Sequence, residues 1–177
     1  MTDGELHYNK VARALHWTIA VLIIVNLIIG LIHDYLPKGT PAIPIHKSIG
    51  LAVLALSAFR LIWRLTHTPP PLPAAMLGWE KFTAQSVHYI LYALMFIMPL
   101  SGWIMSSAGD RPLNFFWLFD VPKFDVAKTD AITGLSRQAH TVLGYAMTAL
   151  VVGHIAAALR HHFLLKDNVL NRMLRAG

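Results

Sequence analysis

The chain has 177 residues, of which 55% are hydrophobic and only 14% charged, with a formal net charge of +6. That balance, together with a positive mean hydropathy, excludes an ordinary water-soluble domain and fits a chain solvated by lipid. No cysteine is present, so disulfides, iron–sulfur clusters and thiolate ligation are excluded, and any metal must rest on histidine.

Four apolar stretches are each long enough to cross a hydrocarbon layer of about 30 Å, which takes about 20 helical residues. The first, roughly 14–33, contains "ALHWTIAVLIIVNLIIGLI" and follows Lys10 and Arg13. It imitates a signal peptide, yet it exceeds an h-region in length and no small-x-small cleavage site follows, so a permanent helix is expected. The second covers roughly 45–65 and ends at a proline-rich break, "HTPPPLPAAMLG". The third covers roughly 84–107 and leads into an external loop over 108–137. That loop carries "NFFWLF", an aromatic run too short to span and suited to the headgroup region as an interfacial lid. The fourth stretch covers roughly 138–162. The expected fold is all-α, an integral membrane four-helix bundle with residues 1–177 forming a single transmembrane domain.

Charge orients the bundle. With both termini on one side, that side is flanked by Lys10, Arg13, Arg60, Arg64, Lys81, Arg160, Lys166, Arg172 and Arg175. The other side has only Lys38, Lys47, Arg111, Lys123, Lys128 and Arg137. The positive-inside bias then puts both termini in the cytoplasm. There is no nucleotide-binding glycine loop and no solenoid repeat, and no nucleic-acid partner is expected.

Within "RQAHTVLGYAMTALVVGH" the two histidines, His140 and His154, are fourteen positions apart. At 100° per residue this is four turns less about 40°, with a rise of about 21 Å, so both imidazoles leave one face at two depths. The interval recurs: His16 is followed at plus fourteen by Gly30, His46 by Arg60, and His88 by Gly102. Because alternate helices run in opposite directions, a cytoplasmic layer holds His16, Arg60, His88 and His154, and an external layer holds Gly30, His46, Gly102 and His140. Ionisable groups inside a membrane bundle are costly and face a partner or a cofactor. Two facing imidazoles can ligate a haem from both sides, with glycine, including Gly50 and Gly144, giving the macrocycle room. Polar packing between helices is the bland alternative. Zinc or copper transport is another, since imidazole suits those metals, but the four core segments hold no Asp or Glu. Spacing selects His46 and His140 at the external level and leaves three histidines for two positions at the cytoplasmic level.

The chain resembles the bacterial cytochrome b561 family of di-haem membrane proteins, of the superoxide oxidase type. The likeness runs over nearly the whole chain and rests on "ALHW", "IHKSIG", "FRLIWRL", "RQAHTVLGY" and above all "GHIAAALRHHFLLKDNVLNRML". It implies two b-type haems, the cytoplasmic one held by His16 and His154 and the external one by His46 and His140, and it removes His88 from the ligand set. It also implies an enzyme of the bacterial inner membrane that oxidises superoxide to dioxygen outside and passes electrons to ubiquinone inside.

Under that reading Lys47, Arg137 and Lys38 would steer superoxide, because a basic rim raises the local concentration of a small anion. Arg60 would pair with a haem propionate through charge-assisted hydrogen bonds. His161 and His162, just beyond the last apolar turn, would donate a proton or hydrogen bond to a quinone oxygen, since histidine titrates near neutral pH. His88 would line the quinone pocket or bond a propionate. Each of these has a plain alternative as an interfacial anchor or packing residue. Membrane lipid, ubiquinone and superoxide are the expected partners, with no obligatory protein partner. The alternative function is a haem-bearing membrane anchor relaying electrons between quinone and a dehydrogenase, hydrogenase or soluble cytochrome. A cofactor-free transporter is a third reading.

Overall fold

A computed structural model describes residues 8–71 and 76–174. Part of the proline-rich break and Arg175, one of the counted cations, lie outside the described residues. Four long helices run α1 (Lys10–Ile32), α2 (Ala42–Thr66), α3 (Gly78–Ser107) and α4 (Ala131–Arg160), and a short α5 (Asn171–Leu174) follows. All four long helices are long and apolar enough to cross a membrane. Their outer faces stay apolar, with Val21, Ile62, Val142 and Val152 all exposed. Lipid covers such a surface without cost.

All four helices start before the expected positions, and the two largest extensions, at α3 and α4, have polar contacts at their starts. α3 begins at Gly78 rather than near 84, where the Glu80 carboxylate accepts the Leu77 N–H at 3.3 Å. α4 begins at Ala131 rather than near 138. There the Asp130 carboxylate accepts the Ala127 N–H at 2.8 Å, and the Thr133 hydroxyl donates to the Ala127 carbonyl at 2.8 Å. Apolar length marks immersion in lipid, whereas polar contacts in the turn before a helix set where it begins. The loop therefore covers 108–130, not 108–137. At the other end of the chain, Asn9 caps α1 by accepting the Ala12 N–H at 2.8 Å.

The aromatic run forms a hairpin. β1 (Asn114–Phe115) pairs antiparallel with β2 (Phe119–Asp120) across a turn at Phe116 and Trp117. Both turn residues are left-handed, with φ of 47° and 60°, and the Leu118 N–H donates to the Phe115 carbonyl at 2.9 Å. Three residues join the paired Phe115 and Phe119, and the two left-handed positions are ones that Asn or Gly normally takes. Ser48 of α2 offsets the strain: its buried hydroxyl accepts the Phe116 N–H at 2.9 Å and donates to the Asn114 carbonyl at 3.1 Å. Phe116 packs against the core. Trp117, Leu118 and Phe119 point outward and are mostly exposed.

Consecutive helices pack closely, α1 on α2, α2 on α3 and α3 on α4. Among the described residues α4 makes no comparably close approach to α1 or α2, and the histidines occupy those gaps. The buried core is a cluster of Ile19, Ile23, Ile49, Val53, Leu94, Met95 and Met147. Ile23, Val53, Met95 and Met147 each lie seven residues from both ends of their fourteen-residue interval. Seven residues rise about 10.5 Å, so these four side chains form an apolar septum midway between the two layers. The first and last described segments meet at one end, hereafter the terminal end, where the Tyr8 N–H donates to the Arg172 carbonyl at 3.3 Å and the Trp17 indole donates to the Met173 carbonyl at 2.9 Å. The hairpin closes the opposite end.

Candidate haem-binding site

At the hairpin end, His46 of α2 and His140 of α4 face each other with ring centroids 6.1 Å apart and planes 80° apart. The His46 Nδ1 bonds the Asn26 carbonyl at 3.1 Å, and the His140 Nδ1 bonds the Met98 carbonyl at 3.0 Å. Carbonyl oxygens only accept, so both Nδ1 atoms carry the proton and each Nε2 keeps its lone pair. The Ser101 hydroxyl supports this by lying 3.0 Å from the His140 Nδ1 and donating to the Met98 carbonyl at 2.8 Å. Such hydrogen bonds fix the tautomer and orientation that a metal ligand needs. Glycine makes the rings fit. A Cβ at Gly30 would come 3.0 Å from the His46 Cε1, and one at Gly102 would come 3.0 Å from the His140 Cε1. Gly30 and Gly102 leave room for the imidazoles, and together with Gly50, Gly144, His46 and His140 they line one cavity of about 520 Å³.

At the terminal end, His16 of α1 and His154 of α4 have ring centroids 6.3 Å apart, with planes 70° apart. His88 of α3 stands closer to His154, at 5.4 Å. Arg60 donates from Nη1 to the His16 Nδ1 at 3.0 Å and from Nε to the Tyr92 hydroxyl at 3.0 Å. The Arg60 and Arg64 guanidiniums each lie 5.7 Å from the Tyr92 ring centre. A guanidinium only donates, so His16 holds the opposite tautomer from His46 and His140. Ligation through its Nε2 requires the proton to move to Nδ1 and Arg60 to let go.

These residues fit a haem. The two pairs drawn from α4 with α2 and α1 stand 6.1 and 6.3 Å apart, nearly equal spacings at the two levels and both wider than the 5.4 Å between His88 and His154. Each of these two pairs would hold a haem iron from opposite sides. Among the described residues no three His, Asp or Glu converge on a point where they could hold a metal ion. A porphyrin brings its own four equatorial nitrogens and needs only the axial pair. Zinc or copper would need more ligands from the protein.

A second cavity, of about 330 Å³, opens at the terminal end and is walled by Glu80, His88, Gly153, His154, Arg160 and His161 among others. Arg160 donates to Glu80 at 3.2 Å. After Arg160 the helix widens into one π-helical turn, His161–Leu165, ended by a left-handed Lys166 at φ 51°. The two adjacent histidines point apart. His161 is buried against the cavity, whereas His162 packs edge-on against Phe163 with centroids 4.8 Å apart and does not line it.

Of the three basic residues expected to steer an anion, Lys47 lines the larger cavity, while Arg137 and Lys38 are exposed and stand outside it. The loop instead brings Lys123 and Arg111 within electrostatic range of Lys47. Lys123 is anchored there by donating to the Gly109 carbonyl and, at 3.3 Å, to the Arg111 carbonyl. Neither cation was singled out by spacing, because both reach Lys47 only through the fold of the loop. Asp34 lines the same cavity, beside His33 at 3.2 Å. Asp110 is neutralised by Lys128 at 2.6 Å, and that hydrogen bond and charge hold its carboxyl below the usual range.

A sequence profile described as prokaryotic cytochrome b561 matches residues 7–176. The chain is 33% identical to Cytochrome b561 homolog 2 of Escherichia coli, over 98% of this chain and 94% of that protein. It is 26% identical to Cytochrome b561 homolog 1 of the same organism, over 94% and 96%. It is 29% identical to a Yersinia pestis protein named "Probable superoxide oxidase CybB", over 94% and 95%.

Proposed function

The chain belongs to the prokaryotic cytochrome b561 family, whose members carry b-type haem and transfer electrons in the membrane, and from that premise we propose that it is a superoxide:quinone oxidoreductase with two bis-imidazole haems. The observation that carries this reading is the presence of one imidazole pair at each end of the bundle, at 6.1 and 6.3 Å. Bound haem, held by His46 and His140 at one level and by His16 and His154 at the other, would supply a one-electron redox centre at each.

The chain's own residues divide the remaining work. His46 and His140 present Nε2 at the hairpin end, and Asn26, Met98 and Ser101 hold them in that tautomer. His16 and His154 do the same at the terminal end once Arg60 releases His16 and turns to a propionate. Lys47, with Arg111 and Lys123 nearby, gives a local positive rim that attracts superoxide. The septum of Ile23, Val53, Met95 and Met147 excludes water between the levels, so protons reach the acceptor only from the terminal end, which the charge bias assigns to the cytoplasm. Two superoxide ions each lose one electron to become dioxygen, and two electrons with two protons convert one ubiquinone to ubiquinol. The Yersinia relative's printed name supports superoxide as the donor, and the cavity beside His154 and His161 is where a quinone ring would fit.

The test is quinol formation by the purified, haem-loaded protein in ubiquinone-containing vesicles supplied with enzymatically generated superoxide. We expect quinol to form with this protein alone and the rate to fall with added salt. Quinol that forms only in the presence of a dehydrogenase or cytochrome partner would replace the oxidase reading with that of a relay subunit.

A further inference from the structure

The π-helical turn after α4 builds an imidazole–carboxylate pair. The His161 Nδ1 lies 2.5 Å from the Asp167 Oδ2, a short charge-assisted contact. The two residues are clamped a second time through the backbone, where the Asp167 N–H donates to the His161 carbonyl at 3.1 Å. The other carboxylate oxygen, Oδ1, accepts the Val169 N–H at 3.0 Å, which fixes the carboxylate itself. The chain reverses to bring Asp167 back through Lys166, a non-glycine residue in the left-handed region. Single π turns and left-handed non-glycine residues are both uncommon and tend to occur where a side chain must be aimed.

With Nδ1 committed to Asp167, Nε2 is the ring nitrogen left for the cavity that His161 lines. Of the other polar walls, His88 stands against His154 with ring centroids 5.4 Å apart, and Arg160 and Glu80 are committed to each other. Arg160 does not give up a proton and is held by Glu80. Glu80 has both oxygens engaged, one by Arg160 and one by the Leu77 N–H. Resting on the quinone reading above, we propose that Asp167 is a positioning residue that holds His161 as the proton donor to a quinone carbonyl in the terminal-end cavity. As the electrons arrive, an O–H bond forms on the quinone and the Nε2–H bond of His161 breaks. His161 is then reprotonated from water at the membrane surface, while Asp167 keeps Nδ1 engaged and Nε2 turned to the cavity.

The experiment uses the full-length haem protein, chemically reduced, freed of excess reductant and mixed rapidly with a short-chain ubiquinone while haem reoxidation is followed. Asp167→Asn should lower the maximal rate roughly 10- to 100-fold at an unchanged half-saturating quinone concentration and unchanged haem content, and Asp167→Glu should restore much of it. His161→Gln should lose as much, and the double variant should lose no more than either, because the two residues act as one unit. Independently, ring nitrogen shifts of His161 by NMR should show a protonated Nδ1 in the parent protein and a mixture of tautomers in Asp167→Asn. Additive losses in the double variant, or an unaltered maximal rate in Asp167→Asn, would overturn the proposal while quinone reduction itself stood. If the parent protein is not reoxidised by quinone, the oxidoreductase reading falls first, and the nitrogen shifts still decide whether Asp167 orients the ring.

Discussion

Adding one methyl group at Gly102 should disable the hairpin-end haem site without touching a ligand. A Cβ there would lie 3.0 Å from the His140 Cε1 and 3.3 Å from its Nδ1. Ordinary contact begins at 3.4 Å, so the ring must retreat by about 0.4 Å or α3 must part from α4. The ring is tied by Nδ1 to Met98 at 3.0 Å, and a metal–nitrogen bond of about 2.0 Å does not stretch by that much. Overpacking of this kind costs about 1–3 kcal/mol, and disturbing a ligand's support weakens a site by roughly 10- to 100-fold. The assay is titration of cofactor-stripped protein with haem, followed by visible absorbance. Gly102→Ala should leave one tight site and one weakened by that factor. Gly134→Ala, where no atom lies within 4 Å, should bind like the parent. Two undiminished sites in Gly102→Ala would refute the claim that His140 must lie against that glycine to serve as a ligand.

The remaining predictions concern the strained turn, the arginine and the loop. Trp117→Gly removes a side chain from a left-handed position and should stabilise the hairpin by about 1 kcal/mol, read as slower hydrogen exchange at Phe116 and Leu118 with haem content unchanged. Arg60→Gln removes a cation beside His16 and should lower the midpoint potential of the terminal-end haem by roughly 60 mV, about 1.4 kcal/mol for one electron, with the other potential unmoved in a redox titration. Asp110 carries a lowered carboxyl pKa because Lys128 bonds it. Its contact therefore persists above the ordinary carboxylate range and is lost only as pH falls through the depressed value. Lys128→Ala should raise the pH at which the Asp110 carboxyl carbon titrates by NMR.

What the sequence reveals is what helical geometry makes local. Fourteen residues return a side chain to nearly the same face, so the pair His46–His140 and the two glycines opposite the rings could be located by counting, whereas at the other level counting left His16, His88 and His154 together and the family resemblance chose among them. The septum was legible by the same rule, since Ile23, Val53, Met95 and Met147 sit at the midpoints, although the layers alone drew attention. Features set by long-range contacts were hidden. Ser48 holds Phe116 and Trp117 in a turn whose sequence lacks Asn and Gly. Arg60 reverses the tautomer of His16, which no spacing reveals. Lys123 and Arg111 reach Lys47 only because the loop folds back over the end of the bundle. Helix starts at Gly78 and Ala131 were missed because hydropathy reports lipid contact and not the polar contacts in the turn before a helix. His161 and His162, by contrast, could have been ranked by counting, since His161 falls seven residues after His154 on nearly the same helical face and His162 lies about 100° away.

The claim beneath all of this is that imidazoles from α1, α2 and α4 clamp two haems, one per level, while His88 clamps none. The most direct measurement is the haem-to-polypeptide ratio of the purified protein, compared with His140→Ala and His88→Ala. The account predicts two haems in the parent, one in His140→Ala and two in His88→Ala. A parent ratio of one, or a loss on replacing His88 equal to that on replacing His140, would contradict it.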